Sequence, residues 1–214
     1  MDTLRITEVF YSIQGETRTT GLPTVFVRLT GCPLRCVWCD TEYAFHGGEK
    51  MTLEAVEAEV RQYGSHYVTV SGGEPLAQPN CIHLLKNLVD QGYETSLETS
   101  GALDLSRIDS RVVKVMDLKA PGSGEVSRNL YSNIQYLDKK DQIKFVIANR
   151  LDYEWSRSKM IEYRLEERVS DVLFSPVADQ MAPSQLVQWI LDDRLKVRFQ
   201  IQLHRFIWGD KKGV

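Results

Sequence analysis

Cys32, Cys36 and Cys39 stand in a C-x3-C-x2-C run between Gly31 and Asp40. The run is one ligand short of the sites that thiolates usually build, because a closed tetrahedral zinc centre and an ordinary ferredoxin cluster both take four protein ligands. Three thiolates on a tight loop can hold a 4Fe-4S cluster with one iron left open to a substrate or cofactor, which would make the loop a reaction site. The alternative is structural zinc completed by His46 or Cys81. Cys81, however, falls in the apolar period of a helix-like segment, where a small buried hydrophobe is the expected role. Downstream, Ser71-Gly72-Gly73-Glu74-Pro75 directly follows the strand-like His66–Val70. Its glycines could simply end the strand, or could let the backbone approach a ligand closely.

In this order the two motifs resemble the signature of the radical S-adenosylmethionine (SAM) enzymes, in which the open iron chelates SAM and one electron cleaves it to a 5′-deoxyadenosyl radical. The likeness narrows to the 7-carboxy-7-deazaguanine synthase family. Glu8-Val-Phe-Tyr-Ser-Ile-Gln-Gly-Glu16 resembles its opening E-x-F-x-x-x-Q-G-E. The strand Thr24–Thr30 leads into Gly31-Cys32, the cysteine run closes in Cys39-Asp40-Thr41, and Glu98-Thr99-Ser100-Gly101 and Gln202-Leu203-His204 match further on. The resemblance spans nearly the whole chain. It implies a carbon–nitrogen lyase that converts 6-carboxy-5,6,7,8-tetrahydropterin to 7-carboxy-7-deazaguanine with loss of ammonia, on the route to queuosine and other 7-deazapurines. It also implies a 4Fe-4S cluster, SAM and Mg2+ as cofactors, an electron donor such as flavodoxin, and a homodimer.

The same resemblance distributes roles. Cys32, Cys36 and Cys39 would hold the cluster. Trp38, Gly73, Glu74, Ser100, Lys119 and Ser175 would meet SAM, with Glu74 bracing the loop; a packing role for Trp38 is compatible. Asp117-Leu118-Lys119 departs from the Ser-Pro-Lys frequent in relatives, and only Lys119 carries over. Ile13, Gln14, Gly15, Glu16, Arg28, Ser71 and His204 would meet the substrate, and Thr41 would bind Mg2+. No protein acid or base is assigned. An amide and a carboxylate suit the donor and acceptor edge of a pterin. Arg28 lies in an apolar strand, where an arginine is seldom buried without a partner. Its fork suits the substrate carboxylate, and an internal salt bridge is the other reading. His204 could also be a satisfied polar residue at a strand end. His46 and His66 have no such support. The tail from Phe206 to Val214 is longer than in some relatives, so no terminal-carboxylate contact is transferred.

The elements that must position these residues alternate. Thr24–Thr30, Tyr67–Ser71, Thr95–Glu98, Val112–Asp117, Gln142–Ala148, Val172–Ser175 and Val197–Gln202 are short and rich in strand formers. Between them lie a helix capped by Thr52, another over Pro79–Asp90, a helical repeat at Leu130, Ile134 and Leu137, and a helix opened by Pro183. Such alternation predicts an α/β fold with a largely parallel sheet and helices outside, whose chemistry sits on loops leaving the strand C-termini. The family's partial, modified (β/α)6-type barrel is compatible with this. A single domain over 1–214 is expected for this length. The net charge of −3 provides no positive field to attract a polyanion, so direct action on nucleic acid is not expected. No leader, membrane span, repeat or disulfide framework is evident, which fits a cytoplasmic protein. Two rivals remain open: a radical SAM activating enzyme that oxidises a glycine on a partner protein, and a non-catalytic metal-binding module.

Overall fold

The computed structural model describes residues 2–214; Met1, the first residue of the expected domain, lies outside them. Nine strands form one open sheet: β1 (Thr3–Ile13), β2 (Pro23–Leu29), β3 (Glu49–Thr52), β4 (Tyr67–Gly72), β5 (Glu94–Thr99), β6 (Val113–Asp117), β7 (Gln142–Ile147), β8 (Asp171–Pro176) and β9 (Arg198–Phe199). Their spatial order is β3-β1-β2-β4-β5-β6-β7-β8-β9. From β2 through β9 every pairing is parallel. The sheet does not close on itself, in agreement with a partial barrel.

The helices are α1 (Leu53–Gln62), α2 (Cys81–Asp90), α3 (Arg150–Glu162), α4 (Leu165–Arg168), α5 (Pro183–Asp192) and α6 (Leu203–Trp208). Thr52 caps α1, its hydroxyl accepting from the Ala55 amide at 3.2 Å. Cys81, Leu84, Leu85 and Leu88 form the buried face of α2. Two hydrophobic clusters flank the sheet. One packs α1 and α2 on β1, β2, β4 and β5; the other packs α3 and α5 on β6, β7 and β8, and Leu76 and Ile108 touch both.

Four expectations need correction. The antiparallel strands β1 and β3 are additional: β1 alternates inward Leu4 and Ile6 with outward Arg5, but its register shifts between Ile6 and Glu8, which breaks the period. The strand expected over Val197–Gln202 is only Arg198–Phe199: the Gln200 amide still donates to the Phe174 carbonyl at 3.1 Å, but beyond it the chain leaves β8 and the Leu203 amide donates to the Gly15 carbonyl at 3.0 Å. His204 therefore lies in α6 rather than at a strand end. The repeat at Leu130, Ile134 and Leu137 winds as a 3-10 helix over Tyr131–Tyr136, where the buried Asn133 amide donates to the Gly101 and Leu103 carbonyls.

Candidate active site

The two motifs are locked together at the C-terminal ends of β2 and β4. The Glu74 amide donates to the Gly31 carbonyl at 2.8 Å, and the Gly73 amide to the Leu29 carbonyl at 3.1 Å. A Cβ on Gly73 would lie 2.2 Å from the Gly31 carbonyl oxygen and 2.9 Å from Cys32 Cβ, so the loops meet this closely only through glycine. Arg35 donates to the Cys32 and Leu34 carbonyls at 2.8 and 2.6 Å and holds the turn. The three cysteines are free and half-buried. Burial pushes each thiol up, and the Lys119 ammonium is the cation that opposes this at all three. Lys119 Nζ itself pairs with Asp117 Oδ2 at 2.7 Å. Cys81 is wholly buried in α2, away from this loop, and His46 is exposed. Among the described residues no three His, Cys, Asp or Glu groups converge to hold a single metal ion.

Glu74 is fully buried and its carboxylate is spent internally. It accepts from the Thr99 hydroxyl at 2.9 Å, the Ser100 amide at 2.7 Å and the Leu76 amide at 3.1 Å. Its part is thus to tie the loop after β4 to the loop after β5. Trp38 packs its ring against Gly122 in the 3-10 turn Pro121–Ser123. On the far side, Asp117 Oδ1 and Ser175 Oγ are buried polar atoms with no partner among the described residues. Buried polar atoms of this kind normally find a partner.

A second set of side chains lines the mouth beside the cysteines. Glu8 and Arg28 are register partners on β1 and β2, and Arg28 Nε donates to Glu8 Oε1 at 2.7 Å. The Tyr43 hydroxyl donates to the same oxygen at 2.7 Å; burial, reinforced by Glu8, pushes that hydroxyl up to about 12. The Arg28 guanidinium lies over the Phe10 and Tyr43 rings, 5.4 and 5.8 Å from their centroids. The Ser71 hydroxyl donates to Glu98 Oε2 at 3.1 Å. Gln14 is buried, and its amide donates to Thr69 at 3.1 Å and to Glu98 Oε1 at 3.3 Å, so its side chain braces the sheet from within. Glu16 pairs with Lys144 of β7 and accepts from Gln202 at 2.9 Å, while Gln202 also donates to Asp40 at 2.6 Å. Thr41 donates to Asp40 Oδ1 at 2.7 Å. The Leu203 amide donates to the Gly15 carbonyl at 3.0 Å, and a Cβ on Gly15 would lie 2.1 Å from His204 Nδ1. Burial pushes His204 below its usual range, so it is neutral at pH 7.

A radical SAM superfamily model matches residues 26–153. A 7-carboxy-7-deazaguanine synthase from Koribacter versatilis is 42% identical over 99% of this chain and 100% of its own length. One from Chlorobaculum tepidum is 40% identical over 99% of this chain and 97% of its own.

The chain belongs to the 7-carboxy-7-deazaguanine synthase family of radical SAM enzymes.

The crystal structure of QueE from Escherichia coli shares the fold, with a TM-score of 0.77 at 22% identity over 94% of this chain and 95% of that one. As a radical SAM enzyme, this 7-carboxy-7-deazaguanine synthase family member takes a 4Fe-4S cluster and SAM. Its residues fit both groups: three unpaired thiols on one loop, a glycine-only approach at Gly73, and unpartnered buried atoms at Asp117 and Ser175. Of the substrate-side residues read from the sequence, Gly15, Glu16, Arg28, Ser71 and His204 flank the mouth. Ile13 ends β1 just before the loop. Of the two sequence readings of Arg28, the structure shows the internal salt bridge. Its Nε is committed to Glu8, while its terminal nitrogens meet no hydrogen-bond acceptor among the described residues. Glu8, Tyr43, Glu98 and Lys144 were not singled out. Lys144 carried the same signal as Arg28, a lone cation in an apolar strand, and Glu98 opens the Glu98-Thr99-Ser100-Gly101 match.

Proposed function

We propose that this chain converts 6-carboxy-5,6,7,8-tetrahydropterin to 7-carboxy-7-deazaguanine, the product named for its relatives, with release of ammonia. The observation that supports this most is the convergence of Arg28, Glu16, Glu98 and His204, brought from four elements and loops, onto the mouth that holds the three cysteines. When bound, the cluster and SAM supply the one-electron chemistry that starts the ring contraction. The protein's own groups bind and orient. The free end of the Arg28 fork is suited to the substrate carboxylate. Glu16 and Glu98 accept from ring N–H groups, and neutral His204 closes the mouth by lying on Gly15. Gly73 and Ser100 bring backbone to SAM, and Lys119 with Ser175 borders it.

Thr41 is the proposed Mg2+ ligand. Its hydroxyl proton goes to Asp40, which leaves oxygen lone pairs for a hard cation whose other ligands are substrate and water. Thr41→Ala should raise the Mg2+ concentration for half-maximal activity by roughly tenfold, about 1.4 kcal/mol, at unchanged iron content. An unchanged Mg2+ response would remove Thr41 from the site. The same reading includes a single domain, a homodimer, a flavodoxin-like electron donor and a cytoplasmic reaction without nucleic acid. No helix among the described residues is long and apolar enough to cross a membrane.

The deciding experiment incubates anaerobically reconstituted protein with SAM, a reductant and the carboxytetrahydropterin. Product of the deazaguanine mass together with ammonia is expected. Its absence from protein that carries a full cluster and cleaves SAM would refute the assignment.

A further inference from the structure

Lys144 stands among Glu16, Asp117 and Glu98 at the mouth, and no motif marks it. It is the register partner of Asp117 across β6 and β7, and its side chain is 17% exposed. One N–H of its ammonium goes to Glu16 Oε2. The other two meet no acceptor within hydrogen-bond distance among the described residues. Burial opposes the charge, but Glu16, Asp117 and Glu98 outweigh it, so the group stays an ammonium and a donor.

The neighbouring acceptors are likewise only half used. Glu16 takes one hydrogen bond on each oxygen, from Lys144 and Gln202. Glu98 also takes one on each, from Gln14 and Ser71. Each carboxylate oxygen has a second lone pair to offer. The mouth therefore carries two acceptor groups and one donor group with capacity to spare. The 2-amino-4-oxo edge of a pterin presents two donors, the amino group and the adjacent ring N–H, followed by one acceptor, the ring carbonyl.

We propose that Lys144 is a substrate-specificity residue that donates to the ring carbonyl while Glu16 and Glu98 take the two N–H donors. The proposal rests on the pterin substrate assigned above. A site built to pair a polar substrate atom discriminates strongly against the analogue that lacks it, because its own group is then left unpaired.

The test is a binding cycle on the cluster- and SAM-loaded enzyme with two unreactive ligands, pterin-6-carboxylate and 2-aminopteridine-6-carboxylate, the second lacking the carbonyl. Losing the carbonyl also turns the adjacent ring N–H into an acceptor; the part of that change felt by Glu16 and Glu98 is common to both enzymes and cancels in the cycle. The wild-type preference for the first ligand should exceed that of Lys144→Met by roughly tenfold or more. Lys144→Gln, which keeps a neutral N–H donor, should lie between them. The SAM-bound EPR signal of the cluster identifies folded variants, and Lys144→Gln carries the comparison if Lys144→Met gives none. Equal preferences in wild type and the folded variants would overturn the role of Lys144. Failure of wild type to turn over the carboxytetrahydropterin would instead sink the substrate assignment on which the proposal rests.

Discussion

At the scale of single residues, Arg28 is held on three sides, by Glu8 through one short bond and by the rings of Phe10 and Tyr43. Only the far end of its fork remains for a ligand. Arg28→Lys keeps the charge but loses both the Glu8 bond at Nε and the bidentate face. Substrate affinity should fall by roughly tenfold, about 1.4 kcal/mol, with SAM binding retained; direct anaerobic binding of both ligands measures this. Glu98 has the opposite problem. Burial first, and then the neighbouring Glu16, raise its carboxyl above the usual value of 4.5. Below that value both folded and unfolded chains are protonated there and nothing is lost. As pH rises, the unfolded chain ionises first, so the folded state loses stability until pH passes the raised value. Glu98→Gln should therefore raise the melting temperature at pH 7, an advantage that fades as pH falls towards 4.5, while weakening substrate binding. Melting curves across that window decide it. A gain independent of pH would show that the carboxylate is not strained by burial.

At the scale of elements, the last helix is fastened to the first loop. α6 has six residues and no side-chain cap, and it is anchored by the Leu203–Gly15 hydrogen bond and by the His204 ring against Gly15. A helix this short has little stability of its own, so its place depends on such tertiary contacts, among them the Gln202 bonds to Glu16 and Asp40 and the Arg205–Asp179 pair. Gly15→Ala would put a Cβ 2.1 Å from His204 Nδ1 and 3.0 Å from its backbone nitrogen. The helix must then shift, so KM for the pterin should rise by roughly tenfold or more while iron content and SAM cleavage persist. A normal KM would show that α6 is not part of the mouth. Sequence could place the parallel strands here because each is a short run of strand formers between helical periods. It did not reveal β1, whose register shift interrupts the alternation, nor the early end of β9, where the chain leaves β8 and bonds to Gly15.

At the scale of the whole molecule, two hydrophobic clusters share one sheet, with Leu76 and Ile108 packed against both. If the chain is one cooperative domain, Leu76→Ala should cost about 2 kcal/mol and leave a single unfolding transition with an unchanged denaturant slope. Two separated transitions in urea would mean that the halves unfold independently. The sequence by itself pointed to the family through its motifs, and through that resemblance to the chemistry, with two rival functions still open. The spacing of Cys32, Cys36 and Cys39 and the Gly72-Gly73-Glu74-Pro75 strand end are local patterns, set by how few residues a tight loop needs to present ligands. Gln14 and Arg28 were also visible, as an amide and a cation in telling positions. Whether Gln14 faces a ligand or braces the sheet was not, because that depends on Thr69 and Glu98, 55 and 84 residues away. The pairing of Glu16 with Lys144 spans 128 residues, and that of Gln202 with Glu16 spans 186. Such contacts are made only when parallel strands align their C-terminal ends, so the partners of each charged group were decided by the tertiary structure.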